Sequence, residues 1–353
     1  MSAEVKAVQI EVLLTQSMLC GVYATIPEIK VGKKAIGGLA GFLGKASTAL
    51  GLVDVDQIGA EIIPKTIGFC GLVGSGLADI DELSPLMQVV SIAYLLDQTT
   101  DNAADPTIYL PAIMSLVNDQ PGSLSVMANE AIADFPPHYQ SQIRKLAFRD
   151  VSLQEFDMRR HSIAYFGNPN PEYLVKNCPE IVEEIITDGG LELVAFGTYM
   201  LLEKKGLVST PLDELREKNA RLINRLNGFL RMCDDYGDRE ADLGSNINIF
   251  NPEGEQLIEG FCKTCDIDPR DYLANRDPLI LFKSFYRGTL SEIMALGGYP
   301  QAGDEGIYLT LLLRVMEGGF VNILGDKFLT AGNNDLVAEE IKRILEFFGY
   351  KID

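Results

Sequence analysis

The feature that most constrains this chain is the period of its apolar residues, which is the period of an α-helix almost throughout. From Leu212 the apolar positions Leu215, Leu222, Leu226, Phe229 and Cys233 follow in steps of three, four or seven. That spacing holds one buried stripe over roughly six helical turns. Thr210 and Pro211 open the run, a capping hydroxyl followed by a proline in the first turn, and Asp213 supports the start electrostatically. The helix is expected to run to about Asp242. A second helix is predicted from Ser84-Pro85, with Leu86, Val89, Val90, Ala93, Tyr94 and Leu96 as its apolar surface.

Between them, EIVEEIITDGGLELVAFGTYMLLEKKG reads as helix, break at Gly189-Gly190, and helix, stopped by Lys204, Lys205 and Gly206. Further helices are expected in RDPLILFKSFYRGTLSEIMAL, DEGIYLTLLLRVMEGGFVNIL and VAEEIKRILEFFGY. GKKAIGGLAGFLGKASTALG is glycine-rich but apolar, which suits close helix packing rather than a linker. Convincing alternating strand runs are absent, as are repeats and low-complexity linkers. The prediction is one all-α domain over residues 1–353.

Charge narrows the function. With 50 acidic against 30 basic residues the net charge is −20, which disfavours nucleic acid and anionic membrane surfaces. An anionic small molecule would then need a metal ion between it and the protein. The 47% hydrophobic content supplies a sizeable core, and the longest uncharged runs fall short of the roughly 20 apolar residues of a membrane span. The start, MSAEVKAVQIEVLL, carries Glu4 and lacks a basic region, a poor signal peptide. The six cysteines suggest no disulfide framework, so the reduced cytoplasm is expected. Cys262 and Cys265 form a CxxC, but His138 and His161 are the only histidines. Zinc therefore lacks partners, and two ordinary helical cysteines are expected.

Against this background two acidic clusters stand out. In LLDQTTDNAAD, residues 95–105, an apolar helix ends by placing Asp97, Asp101 and Asp105 one turn apart. Like charges at that spacing repel, and carboxylates at a helix C-terminus face the negative end of its dipole. In FLRMCDDYGDREADLGSNINIFNP, residues 229–252, Asp234, Asp238 and Asp242 repeat in the same way. Successive members drift only about 40° around a helix, so they share a stripe that rises about 12 Å. Each stripe continues an apolar face: Asp97 follows Ala93 and Val90, and Asp234 follows Leu230. Such carboxylates suit a hard, oxygen-seeking cation such as Mg²⁺, with a diphosphate supplying further ligands. Arg225 and Arg231, upstream on the same helix, are candidates for the diphosphate and are otherwise surface residues.

DQTTD resembles the aspartate-rich first motif of class I isoprenoid synthases, and CDDYGDREADLGSNINIF resembles the second motif of the squalene and phytoene synthase branch. The latter is more similar still to that of the bacterial large-terpene, or class IB, synthases. The detailed likeness covers about forty residues; beyond them it is length and helix pattern. It implies a helical bundle around an apolar cavity that binds a linear prenyl diphosphate through Mg²⁺. Asp97 and Asp101 would be ligands from the first motif, and Asp234, Asp238 and Asp242 from the second. Asp97-Gln98 stands where the first motif usually has paired aspartates. Thr187-Asp188 precedes the glycine break, where many terpene cyclases place a diphosphate-sensing arginine.

The expected activity is that of a terpene cyclase. The alternatives are a head-to-head prenyl-condensing synthase of the squalene type and a non-catalytic helical lipid-binding or interaction protein. The partner expected is the small-molecule substrate, with no nucleic acid and no transmembrane segment, and with room for a homodimer. The Asp97 and Asp234 helices are expected to run parallel and share one rim, bringing Asp97 and Asp238 within about 10 Å. Val90, Tyr94 and Leu230 are expected to line the tail cavity below.

Overall fold

The computed structural model describes residues 33–52, 55–74, 77–101, 103, 105–153, 192–240, 248–251, 257–295, 303–312 and 314–315. These are helices and the turns between them, and no strand occurs among the described residues. The all-α prediction holds. The Gly189-Gly190 break and the final helix over VAEEIKRILEFFGY lie outside the described residues. No helix of the described residues is long and apolar enough to cross a membrane.

The chain gathers into two compact units, one holding residues 1–156, 192–209 and 345–353, the other 157–191 and 210–344. In the first unit the helices are α1 (Lys33–Ala49), α2 (Val55–Gly74), α3 (Ser84–Asp101), α4 (Leu110–Val117), α5 (Ser123–Ile132), α6 (Gln140–Arg144) and α7 (Glu192–Lys204). A π-helical segment, Lys145–Leu153, continues α6. The hub is α3, which touches α1, α2, α5, α7 and the π segment. It starts where Ser84-Pro85 predicts, and Leu86, Val89, Ile92, Leu95 and Leu96 are all buried at 1% exposure or less. Gly197 of α7 lies so close to Leu86 that a Cβ there would collide with that side chain. α7 ends at Lys204, with Gly206 at φ 69 supplying the left-handed stop that the sequence predicts. α1 confirms the glycine-rich stretch as helix but corrects the expected close packing: Gly37, Gly38 and Gly41 are exposed, with open space where a Cβ would stand.

In the second unit the helices are α8 (Leu212–Lys218), α9 (Ala220–Asp238), α10 (Ile258–Thr264), α11 (Arg270–Asn275) and α12 (Pro278–Ala295), followed by helical residues at 303–312. The main packing pair is α9 with α12. Gly228 permits it, because a Cβ there would meet Phe285 at 2.8 Å and also Cys265 Sγ. Leu222, Leu226, Phe229, Leu230 and Cys233 of α9 are buried, as their spacing predicts.

The structure corrects the expected helix from Pro211 to Asp242 in two places. It is broken at Asn219 (φ −108, ψ 17), whose Nδ2 donates to the Leu215 carbonyl at 2.8 Å. A side chain that takes a backbone acceptor in this way competes with the helix. Its regular part then ends at Asp238, with Arg239 and Glu240 in a turn. Thr210 is no N-cap either. Its N–H and hydroxyl both donate to Asp304, at 2.7 and 2.9 Å, and Pro211 holds the cap position.

Candidate functional site

Asp97 sits in the last turn of α3, half-buried, and its carbonyl accepts the Thr100 hydroxyl at 2.9 Å. The Thr99 hydroxyl bonds back to the Leu95 carbonyl. These are back-bonds of the kind threonine makes inside a helix, to carbonyls that also face backbone donors one turn on. Asp101 is the final residue of α3; nothing is described of its side chain. Asp105 lies beyond the helix, where its carboxylate caps Thr107 at the start of the 3-10 turn Pro106–Tyr109. That bonding lowers the Asp105 pKa and makes it a structural cap rather than a third member of a ladder. Val90 is buried and Tyr94 half-buried on the same helix.

The second cluster occupies the end of α9. The helix is regular through Asp238, so Asp234 and Asp238 stand one turn apart along one stripe. The Asp234 side chain is 48% exposed and lies 4.0 Å from Arg231 Nη1. The side chain of Asp238 is not among those described, and Asp242 lies outside the described residues.

Asp235, next in sequence to Asp234, points elsewhere. One residue is about 100° of helical rotation, which takes it off the acidic stripe. It is 1% exposed and meets Arg231 Nε at 2.8 Å. Its Oδ2 accepts the Ile249 N–H at 2.8 Å. Asn248 Nδ2 donates to the Asp235 carbonyl at 2.5 Å, and Asn251 Nδ2 to the Arg239 carbonyl at 3.1 Å. The turn 248–251 is thereby fastened to the end of α9. Aromatic contacts add to it: Phe250 packs edge-on to Tyr236 at 5.7 Å and stacks with Phe282 at 6.3 Å, while Arg239 sits over the Tyr236 ring. Spacing alone passes over Asp235, because it breaks the four-residue period; its place in a CDDYGD doublet is the only sequence signal.

The two arginines part company. Arg231 is half-buried among the acids of its own helix. Arg225 is 5% exposed. Its Nε donates to the Cys265 carbonyl at 3.1 Å, Nη1 to the Gly288 carbonyl at 2.7 Å and Glu292 at 3.2 Å, and Nη2 to the Asp266 carbonyl at 3.2 Å and carboxylate at 2.9 Å. A guanidinium has five N–H donors, and these bonds engage all five. Burial and the neighbouring Arg221 charge lower its pKa, opposed by Glu292. Arg225 is therefore a bracket joining α9 to the α10–α11 connection and α12. That corrects its expected contact with a diphosphate, for which no donor is left.

Cys262 lies in α10 and Cys265 just after it; both are fully buried, and burial pushes each thiol up to about 12. Cys265 Sγ donates to the Asn224 carbonyl at 3.5 Å. Burial and then the Asp234 charge raise the Cys233 thiol well above its ordinary value. These thiols stay protonated and are poor nucleophiles and poor metal ligands at neutral pH. Among the described residues no three His, Cys, Asp or Glu side chains gather as a metal group. Asp97 belongs to the first unit and Asp234 to the second. No family model matches the chain, and no curated protein matches it.

Proposed function

We propose that the protein is a class I terpene cyclase of the cytoplasm, converting a linear prenyl diphosphate into a cyclic hydrocarbon and diphosphate with the help of Mg²⁺. The observation that carries this reading is the end of α9. Its buried apolar face runs to Cys233, and the same regular helix then presents a half-exposed carboxylate at Asp234 and a second acid one turn on. Carboxylate oxygens are the donors a hard cation takes, so the residues present fit Mg²⁺. Asp97 and Asp101 on one side, with Asp234, Asp238 and Asp242 on the other, would hold it. Bound there, Mg²⁺ supplies Lewis-acid stabilisation of the diphosphate as a leaving group.

The chain's own residues do the rest. Arg231 is the basic group beside Asp234 and would orient that carboxylate while offering charge to the diphosphate. Phe229, Tyr236, Phe250 and Phe282 form a cluster of edge-on and stacked rings beside α9. Apolar walls of that kind keep water from an allylic cation. The proposal requires the ends of α3 and α9 to share one rim, with Val90, Tyr94 and Leu230 below it.

Incubation with a single labelled prenyl diphosphate tests the reading. Mg²⁺-dependent release of diphosphate with a hydrocarbon of unchanged carbon number is the expected result. A product of doubled carbon number would shift the assignment to the prenyl-condensing synthase. No release across prenyl chain lengths, with Mg²⁺ present, would leave the non-catalytic lipid-binding or interaction protein.

A further inference from the structure

We infer that Asp235 is a positioning residue for the acidic stripe of α9 and not one of its metal ligands. The inference rests on the metal-binding reading above and deepens it. Asp235 is buried where Asp234 is half exposed, and both its oxygens face the protein: Oδ2 toward the Ile249 N–H, Oδ1 toward Arg231 Nε. Through Oδ2 it ties α9 to a residue fourteen positions later. Through Oδ1 it makes an ion pair at 2.8 Å with the guanidinium whose other end lies 4.0 Å from Asp234. Asn248 and Asn251 complete the fastening by donating to the carbonyls of Asp235 and Arg239, on either side of Asp238.

The stripe therefore does not end in a free helix terminus. Its last turn is clamped from one side by a return turn whose anchor is a buried carboxylate. Such a clamp fixes the backbone turn that carries Asp234 and Asp238 before any cation arrives. Groups that orient metal ligands without touching the metal typically change affinity by about 10–100-fold when removed. The aspartate doublet thus divides its work: Asp234 faces solvent, and Asp235 faces the fold.

Two variants and two readouts test this in the full chain. Asp235→Asn keeps an oxygen that can accept the Ile249 N–H, and Asp235→Ala keeps none. Amide exchange at Ile249 reads the clamp, and calorimetric titration with Mg²⁺ plus inorganic diphosphate reads the stripe. Protection at Ile249 should fall from wild type to Asn to Ala. Affinity should fall in the same order, by about tenfold or more for Ala, with the number of ions bound unchanged. Loss of a bound ion in Asp235→Asn while Ile249 stays protected would make Asp235 a ligand and overturn the inference. So would a loosened Ile249 with unchanged affinity. If the wild type binds no Mg²⁺ with diphosphate, the metal reading falls and takes the positioning role with it. Ile249 exchange would then separately show whether the clamp itself exists.

Discussion

The ends of α3 and α9 are fastened by side chains in two ways. Each is the C-terminus of a helix that carries aspartates, and at each end side chains donate to backbone carbonyls. At α3 the donors are local: the Thr99 and Thr100 hydroxyls reach back three or four residues to Leu95 and Asp97. At α9 they come from a distance, as Asn248 and Asn251 return to Asp235 and Arg239. The charges differ as well. The last turn of α3 contains no basic residue, whereas Arg231 lies one turn upstream of the α9 acids and within 4.0 Å of Asp234. A local device makes a helix end whose form depends on its own turn. A remote one makes its form depend on a loop closing correctly.

If both ends serve one reaction, the largest effect is shared. Asp97→Ala and Asp238→Ala should each lower diphosphate release by at least about a hundredfold, since metal stabilisation is worth several kcal/mol. Helicity by circular dichroism should be unchanged in both. Full activity in either variant would remove that end from the site.

The next effect belongs to the α9 side alone. Arg225→Ala should destabilise the protein by about 3 kcal/mol, because it deletes a buried, fully bonded guanidinium and leaves carbonyls and a carboxylate facing the gap. Denaturant unfolding measures that loss. The affinity of the folded variant for Mg²⁺ with diphosphate should match the wild type, which separates a bracket from a ligand.

Local and remote fastening can be compared directly. Asn248 is fully buried and uses both ends of its amide, donating to Asp235 and accepting from the Phe250 N–H at 3.0 Å. Asn248→Ala should cost about 1–3 kcal/mol, against about 0.5–1.5 kcal/mol for Thr100→Val. Equal losses in unfolding midpoint would erase the distinction drawn between the two ends.

The smallest effect concerns the charges without metal. Asp101 ends α3 at the negative pole of the helix, with no base in the last turn. Asp101→Asn should stabilise the apo protein by about 0.3–1 kcal/mol. Asp234→Asn should gain less, because Arg231 already offsets part of its charge. With Mg²⁺ and diphosphate added, both variants should gain less in melting temperature than the wild type, because a ligand stabilises only what it binds.

The helices and buried faces were legible because a period of 3.6 records which residues face inward, as Leu226, Phe229 and Leu230 do. The start of α3 and the end of α7 were legible because Ser84-Pro85 and Gly206 act on their own backbone. Most of what stayed hidden depended on partners far along the chain. Thr210 looks like a cap until Asp304 takes both its donors. Arg225 looks like a ligand until Cys265, Asp266, Gly288 and Glu292 surround it. The break at Asn219 leaves the apolar spacing intact, so periodicity passes over it. Spacing puts Asp234 and Asp238 on one helical stripe but passes over Asp235, whose partner Ile249 lies fourteen residues on.

The measurement that tests the central claim most directly is a crystal structure grown with Mg²⁺ and inorganic diphosphate. The account predicts one diphosphate bridged to both helix ends, with oxygens of Asp97 and Asp234 about 2.1 Å from ions of the same cluster. Asp235 should remain on the Ile249 N–H, away from the ions. Acidic ends lying at opposite poles, so that no single diphosphate reaches both, would contradict it.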